Sequence, residues 1–380
     1  MMDKLRRELR LIYSTREQSQ NGKRLTGLDM ARGIAIILVV VGHSGFVGPT
    51  CNIWLSTFHL PTFFLLSGIL MGMKQEENHP LQKLALQKAR SIMVPYLWFS
   101  LGSVCLDILQ VLLGNFTWDV VWEHVAQTLT LQGYSVLWFL PVLYLAEICL
   151  LLLCKASRHF LPNGPACIVI AMVLTGCAVG GYYGYQALIA SAAPAFVLHI
   201  LRICVKSFIG AAFMSYGYVF GRLYSGKTSA ICKWCTLLSG ALLFAVNLIL
   251  IPQVQLMDLN NLNFQNPWVY LMLGTTGGLG CVLLCMSIPN IPLLTFYGQN
   301  SLIIMCTHMN FYVMYFSMLF NLFLVPRLPG ASDSMYAVFS LVGTFVLSIG
   351  VIMVIRVCFP FVLGKKRIPR GKIEEKRTAA

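Results

Sequence analysis

The chain has 380 residues, of which 57% are hydrophobic and only 11% charged, and its mean hydropathy is +0.72. A soluble core of this size cannot bury so much apolar surface, so the composition excludes a soluble globular protein and predicts an all-α, polytopic transmembrane bundle. The formal net charge of +14 is explained by basic loops that face anionic membrane lipids, and it requires no nucleic acid partner.

Charge and hydropathy divide the chain into three sections. Residues 1–25 form a polar and basic cytoplasmic leader, residues 26–364 a single transmembrane domain, and residues 365–380 a basic cytoplasmic tail. The first apolar segment follows a long polar stretch and lacks a small-residue cleavage site, so we expect it to be kept as a helix instead of removed as a signal peptide.

Apolar segments long enough to cross a bilayer follow one another along the whole transmembrane domain. Lysine and arginine concentrate in every second connection and at both termini, and such residues mark the cytoplasmic side. We therefore predict about ten spans in a plasma or inner membrane, with both termini cytoplasmic. The predicted spans are 28–47, 53–73, 91–113, 135–154, 165–185, 203–222, 231–251, 268–288, 293–322 and 335–363.

The first span carries three polar residues whose burial in hydrocarbon costs free energy. Asp29 lies one helical turn before Arg32, and His43 lies about three turns after Arg32. The three side chains share one stripe of the helix, which should face protein or a wet cavity. We predict that this stripe contributes to catalysis.

The second span places His59 two residues before Pro61. Because proline removes a backbone donor and disturbs the preceding turn, we expect this helix to be kinked or broken at His59. The connection between the first two spans is short, so His43 and His59 should lie at similar depth in the outer half of the bilayer. This juxtaposition adds His59 to the predicted site.

Other polar residues fall within the later spans. Glu147 is predicted to be a counter-ion for Arg32, because the fourth span descends as the first one rises. His308 is expected in the middle of the ninth span. Three residues near outer ends are expected to reach the membrane interface: Asp107, Arg202 and Lys206.

The thirteen cysteines lie mostly inside apolar segments, where cysteine acts as a small hydrophobic residue. Cys232 and Cys235 form a single C-x-x-C pair without a second pair or nearby histidines, which does not make a zinc site. We expect no metal.

Several short motifs stand in a fixed order from the first span to the ninth: Leu28-Asp29-x-x-Arg32-Gly33 with His43, Phe58-His59-x-Pro61-x-Phe63-Phe64-x-x-Ser67-Gly68, Lys88-Ala-Arg90 before Pro95-Tyr96, Trp138-Phe139-Leu140, and Asn300-Ser301 with His308. In this order they resemble the bacterial integral-membrane acyltransferases, acyltransferase family 3, and in particular the branch named for fucose 4-O-acetylase-like proteins.

The resemblance implies transfer of an acyl group, usually acetyl from acetyl-CoA, to a hydroxyl of a cell-surface carbohydrate or its lipid-linked precursor. It carries essential roles to Arg32 and His43. The family often has paired arginines after the second span, where this chain has Lys83, Lys88 and Arg90. The full set of expected site residues is Asp29, Arg32, His43 and His59 for catalysis, Lys83, Lys88, Arg90 and Ser67 for the donor, and Glu147, Trp138, His308 and Asn300 as supporting residues.

Acyl transfer to a hydroxyl requires a base to take its proton and donors to hold the developing oxyanion. His43 fits the role of base, and a covalent acyl carrier is the alternative role for the same residue. Arg32 either meets the coenzyme or only positions Asp29 or Glu147. Since no esterase-like domain is recognised, we expect the chain to work within the membrane or with a separate extracytoplasmic partner enzyme.

Two other functions fit the same pattern. A transporter or flippase of a small solute or glycan precursor also has buried charges and a broken helix, although no inverted repeat is visible here. A non-catalytic sensory or transport domain on the acyltransferase fold is the other, and an intact Arg32 and His43 argue against it.

Overall fold

The computed structural model of this protein describes residues 26–157, 160, 163–225, 233–328, 330 and 332–364. The predicted leader, the predicted tail and Cys232 lie outside these residues. The predicted all-helical bundle is confirmed. The helices are α1 (Thr26–His43), α2 (Pro49–Lys74), α3 (Leu81–Leu112), α4 (Trp118–Leu129), α5 (Phe139–Ser157), α6 (Asn163–Ala190), α7 (Ala195–Ser225), α8 (Lys233–Leu250), α9 (Pro267–Ser287), α10 (Pro292–Gln299), α11 (Ser301–Thr307), α12 (Val313–Leu324) and α13 (Asp333–Cys358).

Nine helices in the described part of the chain are long and apolar enough to cross a membrane. The predicted ninth span, 293–322, is not a continuous helix but is divided into α10, α11 and α12. The chain unwinds after α11, where Tyr312 takes a left-handed conformation with φ 56°, and the backbone N–H of Met314 reaches back to the His308 carbonyl. His308 therefore lies at a helix break and not in the middle of a helix.

The interrupted segment nevertheless carries the chain across the bundle. The start of α1 packs against the end of α9, because a Cβ on Gly27 would lie 2.9 Å from the Met286 Cα. The other end of α1 is followed by Phe46, whose ring contacts that of Tyr336 at the start of α13 with centroids 5.5 Å apart. Residues between α9 and α13 must therefore pass from one end of α1 to the other, which makes a tenth crossing.

Contacts that the two ends of α7 make with connecting segments define two ends of the bundle. At the first, which we call the hairpin end, Arg202 donates to the backbone carbonyl of Asn260 in a short hairpin formed by residues 254–264. At the second, which we call the salt-bridge end, Arg222 pairs with Glu77 at 3.3 Å. The short helix α4 lies outside the predicted spans, in the connection between α3 and α5.

The second helix does not break at its proline. α2 runs from Pro49 to Lys74 with Pro61 inside it, so of the kink or break predicted at His59, the break is absent. Within the described residues, the predicted span that is interrupted is the ninth. The Thr62 hydroxyl donates to the Phe58 carbonyl at 2.7 Å, a side-chain bond in the turn that contains the proline.

Close backbone approaches between glycine-bearing helices set the core of the bundle. A Cβ on Gly68 of α2 would lie 1.9 Å from the Met214 carbonyl oxygen of α7, and a Cβ on Gly217 of α7 would lie 2.1 Å from the Leu65 oxygen. Small residues allow membrane helices to approach in this way and gain dispersion energy along their length. The pair α2 and α7 therefore forms a fixed frame for the residues that α2 carries.

A second glycine contact fixes the segment around Arg32. A Cβ on Gly33 of α1 would lie 2.0 Å from the Leu294 oxygen of α10, and a Cβ on Gly298 of α10 would lie 1.8 Å from the Asp29 oxygen. Only residues without a side chain fit at both positions. The contact brings the Asp29–Arg32 turn against the end of α10.

Candidate active site

His43 is the last residue of α1 and is solvent-exposed at the wall of a cavity. Its Nδ1 lies 2.8 Å from the Val39 carbonyl oxygen. Because a carbonyl only accepts hydrogen bonds, Nδ1 carries the proton and Nε2 of the neutral ring keeps its lone pair. His43 is thus held in the tautomer that a general base requires.

Two other histidines lie around the same position. The His308 ring, fully buried, has its centroid 5.2 Å from that of His43, and its Nδ1 donates to the Ile304 carbonyl at 2.8 Å. His59 donates in the same way from Nδ1 to the Leu55 carbonyl one turn earlier. The structure therefore brings together the three histidines that the sequence analysis selected.

A cavity of about 360 Å³ opens beside His43 at the hairpin end. His59 and Trp138, two of the expected site residues, line it, and Phe139 and Met305 form part of its wall. The polar part of the lining comes from four further residues that the sequence analysis had not selected: Asn52, Ser135, Asp258 and Asn260.

A separate cavity of about 200 Å³ holds Arg32. Ser67 and Gln299 line it together with Arg32, and Phe139 and Met305 line it as well as the first cavity. These two apolar side chains therefore stand between the cavity of Arg32 and the cavity of His43. We call them the shared wall.

Asp29 is buried next to the Arg32 cavity. It is 6% exposed, and its carboxylate accepts a hydrogen bond of 3.4 Å from the Gln299 side chain. The expected stripe of α1 is therefore present, but its two ends belong to different environments: Asp29 and Arg32 lie on one side of the shared wall and His43 lies on the other.

Glu147 has a different partner from the one predicted. Its carboxylate lies 3.1 Å from the Lys88 ammonium and accepts a hydrogen bond of 2.5 Å from the Ser67 hydroxyl. Lys88 pairs with Glu76 as well, at 2.8 Å. The prediction that Glu147 is the counter-ion of Arg32 is wrong. Helix α3 begins at Leu81, before its apolar stretch, so Lys88 already lies on this helix and is placed beside Glu147.

The remaining donor and supporting residues are spread over the bundle. Lys83 and Arg90 are exposed on the first turns of α3, not in a loop, and neither lines the Arg32 cavity. Asn300 is buried at the junction of α10 and α11, where its amide donates to the Phe296 carbonyl at 2.7 Å. It lies next to Ser301, which lines the Arg32 cavity.

Two residues expected at the membrane interface are buried instead. Asp107 is 4% exposed and accepts a hydrogen bond of 2.5 Å from His124 of α4. Lys206 is 1% exposed; its ammonium donates to the Asn260 side chain at 3.1 Å and lies 4.8 Å from the centre of the Trp138 ring. Both are held by protein contacts because the connections at the hairpin end fold over them.

Tyr134 covers the buried pair that α4 makes with α3. Its ring stacks on that of His124 with centroids 4.1 Å apart. Burial raises the pKa of the Tyr134 phenol, and the nearby charge of Asp107 raises it further. The phenol therefore stays protonated at neutral pH.

The hairpin of residues 254–264 is the part of the site that the sequence analysis missed. The backbone groups of Asp258 and Asn263 bond to each other in both directions at 2.9 Å, and the Asp258 carboxylate accepts the Asn260 N–H at 2.8 Å. The run Asp258-Leu-Asn-Asn-Leu-Asn263 is rich in turn-forming residues. That composition was the available signal, but it predicts a turn and not its position over the cavity.

Fold and site together define a multi-pass helical membrane protein with a histidine cavity and an arginine cavity on either side of the shared wall. A family model described as an acyltransferase domain matches residues 25–353, which is most of the chain. The protein belongs to this acyltransferase family. Searches of curated proteins and of solved structures found no match.

Proposed function

We propose that this protein is an O-acyltransferase that moves an acetyl group from acetyl-CoA to a hydroxyl group of a cell-surface carbohydrate or its lipid-linked precursor. The observation that carries the proposal is the pair of cavities on the two sides of Phe139 and Met305. One cavity offers a histidine base among polar side chains, and the other offers an arginine. Membership of the acyltransferase family supports the reaction class. The motif order favours the fucose 4-O-acetylase-like branch.

His43 acts as the general base in this proposal. Its Nε2 takes the proton of the acceptor hydroxyl while the oxygen attacks the thioester carbonyl carbon, so a C–O bond forms. The tetrahedral intermediate then collapses, the C–S bond breaks, and the proton on Nε2 passes to the leaving thiolate. The amide of Asn52, which lines the same cavity, supplies N–H groups for the oxyanion.

The donor approaches from the salt-bridge end. Arg32, Ser67 and Gln299 offer polar contacts to the pantetheine arm within their cavity. The exposed cations Lys83 and Arg90 lie at the same end of the bundle and attract the phosphates of the coenzyme. Lys88, in contrast, pairs with Glu76 and Glu147, and we assign it to holding together α3, α5 and the segment that follows α2.

The acceptor approaches from the hairpin end, which the distribution of basic residues predicts to be extracytoplasmic. For the acetyl group to pass from one cavity to the other, the side chains of Phe139 and Met305 must move. Methionine has three rotatable bonds and adapts to this requirement at low cost.

A transporter of a small solute is the second candidate, because an interrupted helix beside two opposed cavities is typical of transporters. The two functions differ in one measurable property. An acyltransferase consumes the thioester of acetyl-CoA, whereas a transporter leaves it intact.

The test combines cells and purified protein. Mass spectrometry of surface polysaccharide from cells with and without the gene should show one acetyl group added per modified unit, and this addition should be missing with His43→Ala. Purified protein in nanodiscs should release free thiol from acetyl-CoA when extracted acceptor is supplied. An unchanged polysaccharide mass together with no thiol release would reject the acyltransferase and favour the transporter.

A further inference from the structure

A second cavity of about 270 Å³ adjoins the His43 cavity at the hairpin end. The two cavities share Ser135 and Asn260, so they are joined at these residues. Apart from the shared residues and Gly133, the lining of the second cavity consists of polar side chains: Gln127, Gln132, His199, Arg202 and Asn261.

Arg202 brings a positive charge to this second cavity. Its Nε and Nη2 donate to the Asn260 carbonyl at 3.0 and 2.8 Å, and Nη2 also donates to the Asn261 side chain at 2.6 Å. These acceptors are neutral, and among the described residues no carboxylate pairs with Arg202. Nη1 makes no hydrogen bond to the described residues. The guanidinium is therefore rigidly held and still has donors to offer an anion.

Lys206 adds a second basic side chain one turn further along α7. It is also paired with neutral groups, the Asn260 side chain and the Trp138 ring. Burial of a cation is costly. The charge of Asp258 offsets part of this cost for Lys206, but within the described part of the chain the direct contacts of both basic side chains with the hairpin are to the neutral residues Asn260 and Asn261. An anionic ligand that meets Asn260 would lower this cost.

The negative charge of this region lies on the other side of the junction. Asp258 lines the His43 cavity and not the second cavity. Its carboxylate is satisfied by the N–H groups of Asn260 and Asn261 and by the Asn261 side chain. An anion is therefore repelled from the His43 cavity and attracted to the Arg202 cavity, which orients a ligand that has a charged end and a neutral end.

We propose that the second cavity binds an oxyanion group of the acceptor, a carboxylate or a phosphate carried on a sugar, so that the acceptor is an acidic saccharide. This inference rests on the proposed function and narrows its acceptor class. Arg202 receives the oxyanion, the Asn260 amide contacts the saccharide where the two cavities meet, and the hydroxyl to be acetylated lies next to His43. The acetylated hydroxyl is thus selected by its distance from the negative charge.

Calorimetric titration of the full-length protein in nanodiscs tests the binding step without acetyl-CoA. The probes are methyl β-D-glucuronide, α-D-glucose 1-phosphate and the neutral methyl β-D-glucoside. Because hydrogen bonds to charged groups contribute about 1.5–3 kcal/mol, at least one acidic probe should bind about tenfold or more tightly than the glucoside. The preferred acidic probe distinguishes a uronic acid acceptor from a sugar phosphate.

Two variants test the assignment to Arg202. R202Q removes the charge and should abolish the preference for the acidic probe. Since this change also loosens the hairpin, Q127E provides a second test: it places a carboxylate in the cavity while Arg202 keeps its contacts, and it should also weaken acidic binding. R327Q, a change at an exposed arginine outside the cavity, is the control and should bind as the wild type does.

The outcomes separate this inference from the proposed function. Equal binding of acidic and neutral probes, no binding of any probe, or an unchanged preference in R202Q would overturn the acidic subsite. If acetyl-CoA is then added and acetyl transfer to the glucoside is as fast as to the acidic probes, the acyltransferase function is supported and the acidic subsite is contradicted. A preference for the acidic probes without any thioester consumption would support the acidic subsite and reject the acyltransferase function.

Discussion

The rings of His43 and His308 lie with centroids 5.2 Å apart at a tilt of 58°, although the two residues belong to opposite parts of the chain. One ends α1, and the other follows α11 at the break in the interrupted crossing. Both donate from Nδ1 to a carbonyl one turn earlier. The helix break therefore serves to bring a second imidazole against the proposed base.

Replacing His43 with glutamine should lower acetyl transfer by at least about 100-fold, since positioned proton transfer contributes about that much. Glutamine is similar in size and cannot take a proton. The measurement is thiol release from acetyl-CoA in nanodiscs, with size-exclusion profiles to verify folding. His79→Gln, a change at an exposed histidine outside both the His43 cavity and the second cavity, is the control for general loss of a ring. Transfer within twofold of wild type in His43→Gln would remove His43 from the mechanism.

The ion pairs of Lys88 should be important for stability. Lys88→Gln leaves the carboxylates of Glu76 and Glu147 without their cation, and breaking a buried pair costs about 3–5 kcal/mol. We expect a large drop in thermal unfolding temperature in nanodiscs. Adding Glu147→Gln should restore part of the loss, because the unpaired charge disappears. The exposed Lys83→Gln should unfold as the wild type does, and equal melting of Lys83→Gln and Lys88→Gln would contradict the assignment.

The contact between α1 and α10 should tolerate no side chain. Gly298→Ala places a Cβ 1.8 Å from the Asp29 oxygen, so the helices must separate and Arg32 must shift. Overpacking of this kind costs about 1–3 kcal/mol. We expect lower thermal stability and lower turnover. Gly180→Ala on α6 is the control, since its Cβ would meet nothing within 4 Å; an equal effect in both variants would show that helix propensity alone is responsible.

Charge reversal at Lys83 and Arg90 should raise the KM for acetyl-CoA and leave kcat nearly unchanged. A contact with a coenzyme phosphate is made equally in the ground state and the transition state, so losing it weakens donor binding without raising the barrier of the bound complex. The KM effect should shrink as salt is added. Arg32→Lys keeps the charge but loses the planar fork, so it should lower kcat at saturating donor. Steady-state kinetics of thiol release distinguish the two patterns. A Lys83 or Arg90 variant with reduced kcat and normal KM would place the coenzyme elsewhere.

Membrane orientation is testable through Cys51, an exposed residue in the first turn of α2 at the hairpin end. If that end faces outward, an impermeant maleimide applied to intact cells should label the wild type and not Cys51→Ser. A cysteine introduced at Lys83 in the Cys51→Ser background should stay unlabelled until the cells are opened. Labelling at position 83 in intact cells would show that the orientation is the opposite of the predicted one.

The sequence was sufficient for features that depend on local pattern. Helical periodicity correctly placed Asp29 and Arg32 together, and the short connection correctly placed His43 and His59 around one cavity. Depth in the membrane, however, does not determine which way a helix is rotated. Glu147 and Arg32 have compatible depths, yet the rotation of α5 directs Glu147 to Lys88 and Ser67.

Other features required knowledge of contacts distant in sequence. Lys206 fits the pattern of a lysine that reaches the interface, and only the position of the 254–264 hairpin shows that it is covered by Asn260. No proline near His308 signals the break that follows it. An apolar run of this length is typical of a continuous helix, so the sequence predicted one. Conversely, Pro61 gave a signal for a break that packing against α7 overrides.

The shared wall of Phe139 and Met305 also has an electrical consequence. If the cavities on the two sides of this wall fill with water, they conduct better than hydrocarbon, and a membrane voltage then falls mainly across the apolar partition between them. A charge carried through that partition exchanges about 2.3 kcal/mol with the field for every 100 mV. A neutral acetyl group avoids this exchange. In the proposed reaction, the partition would therefore block ions and still let an uncharged acyl group pass.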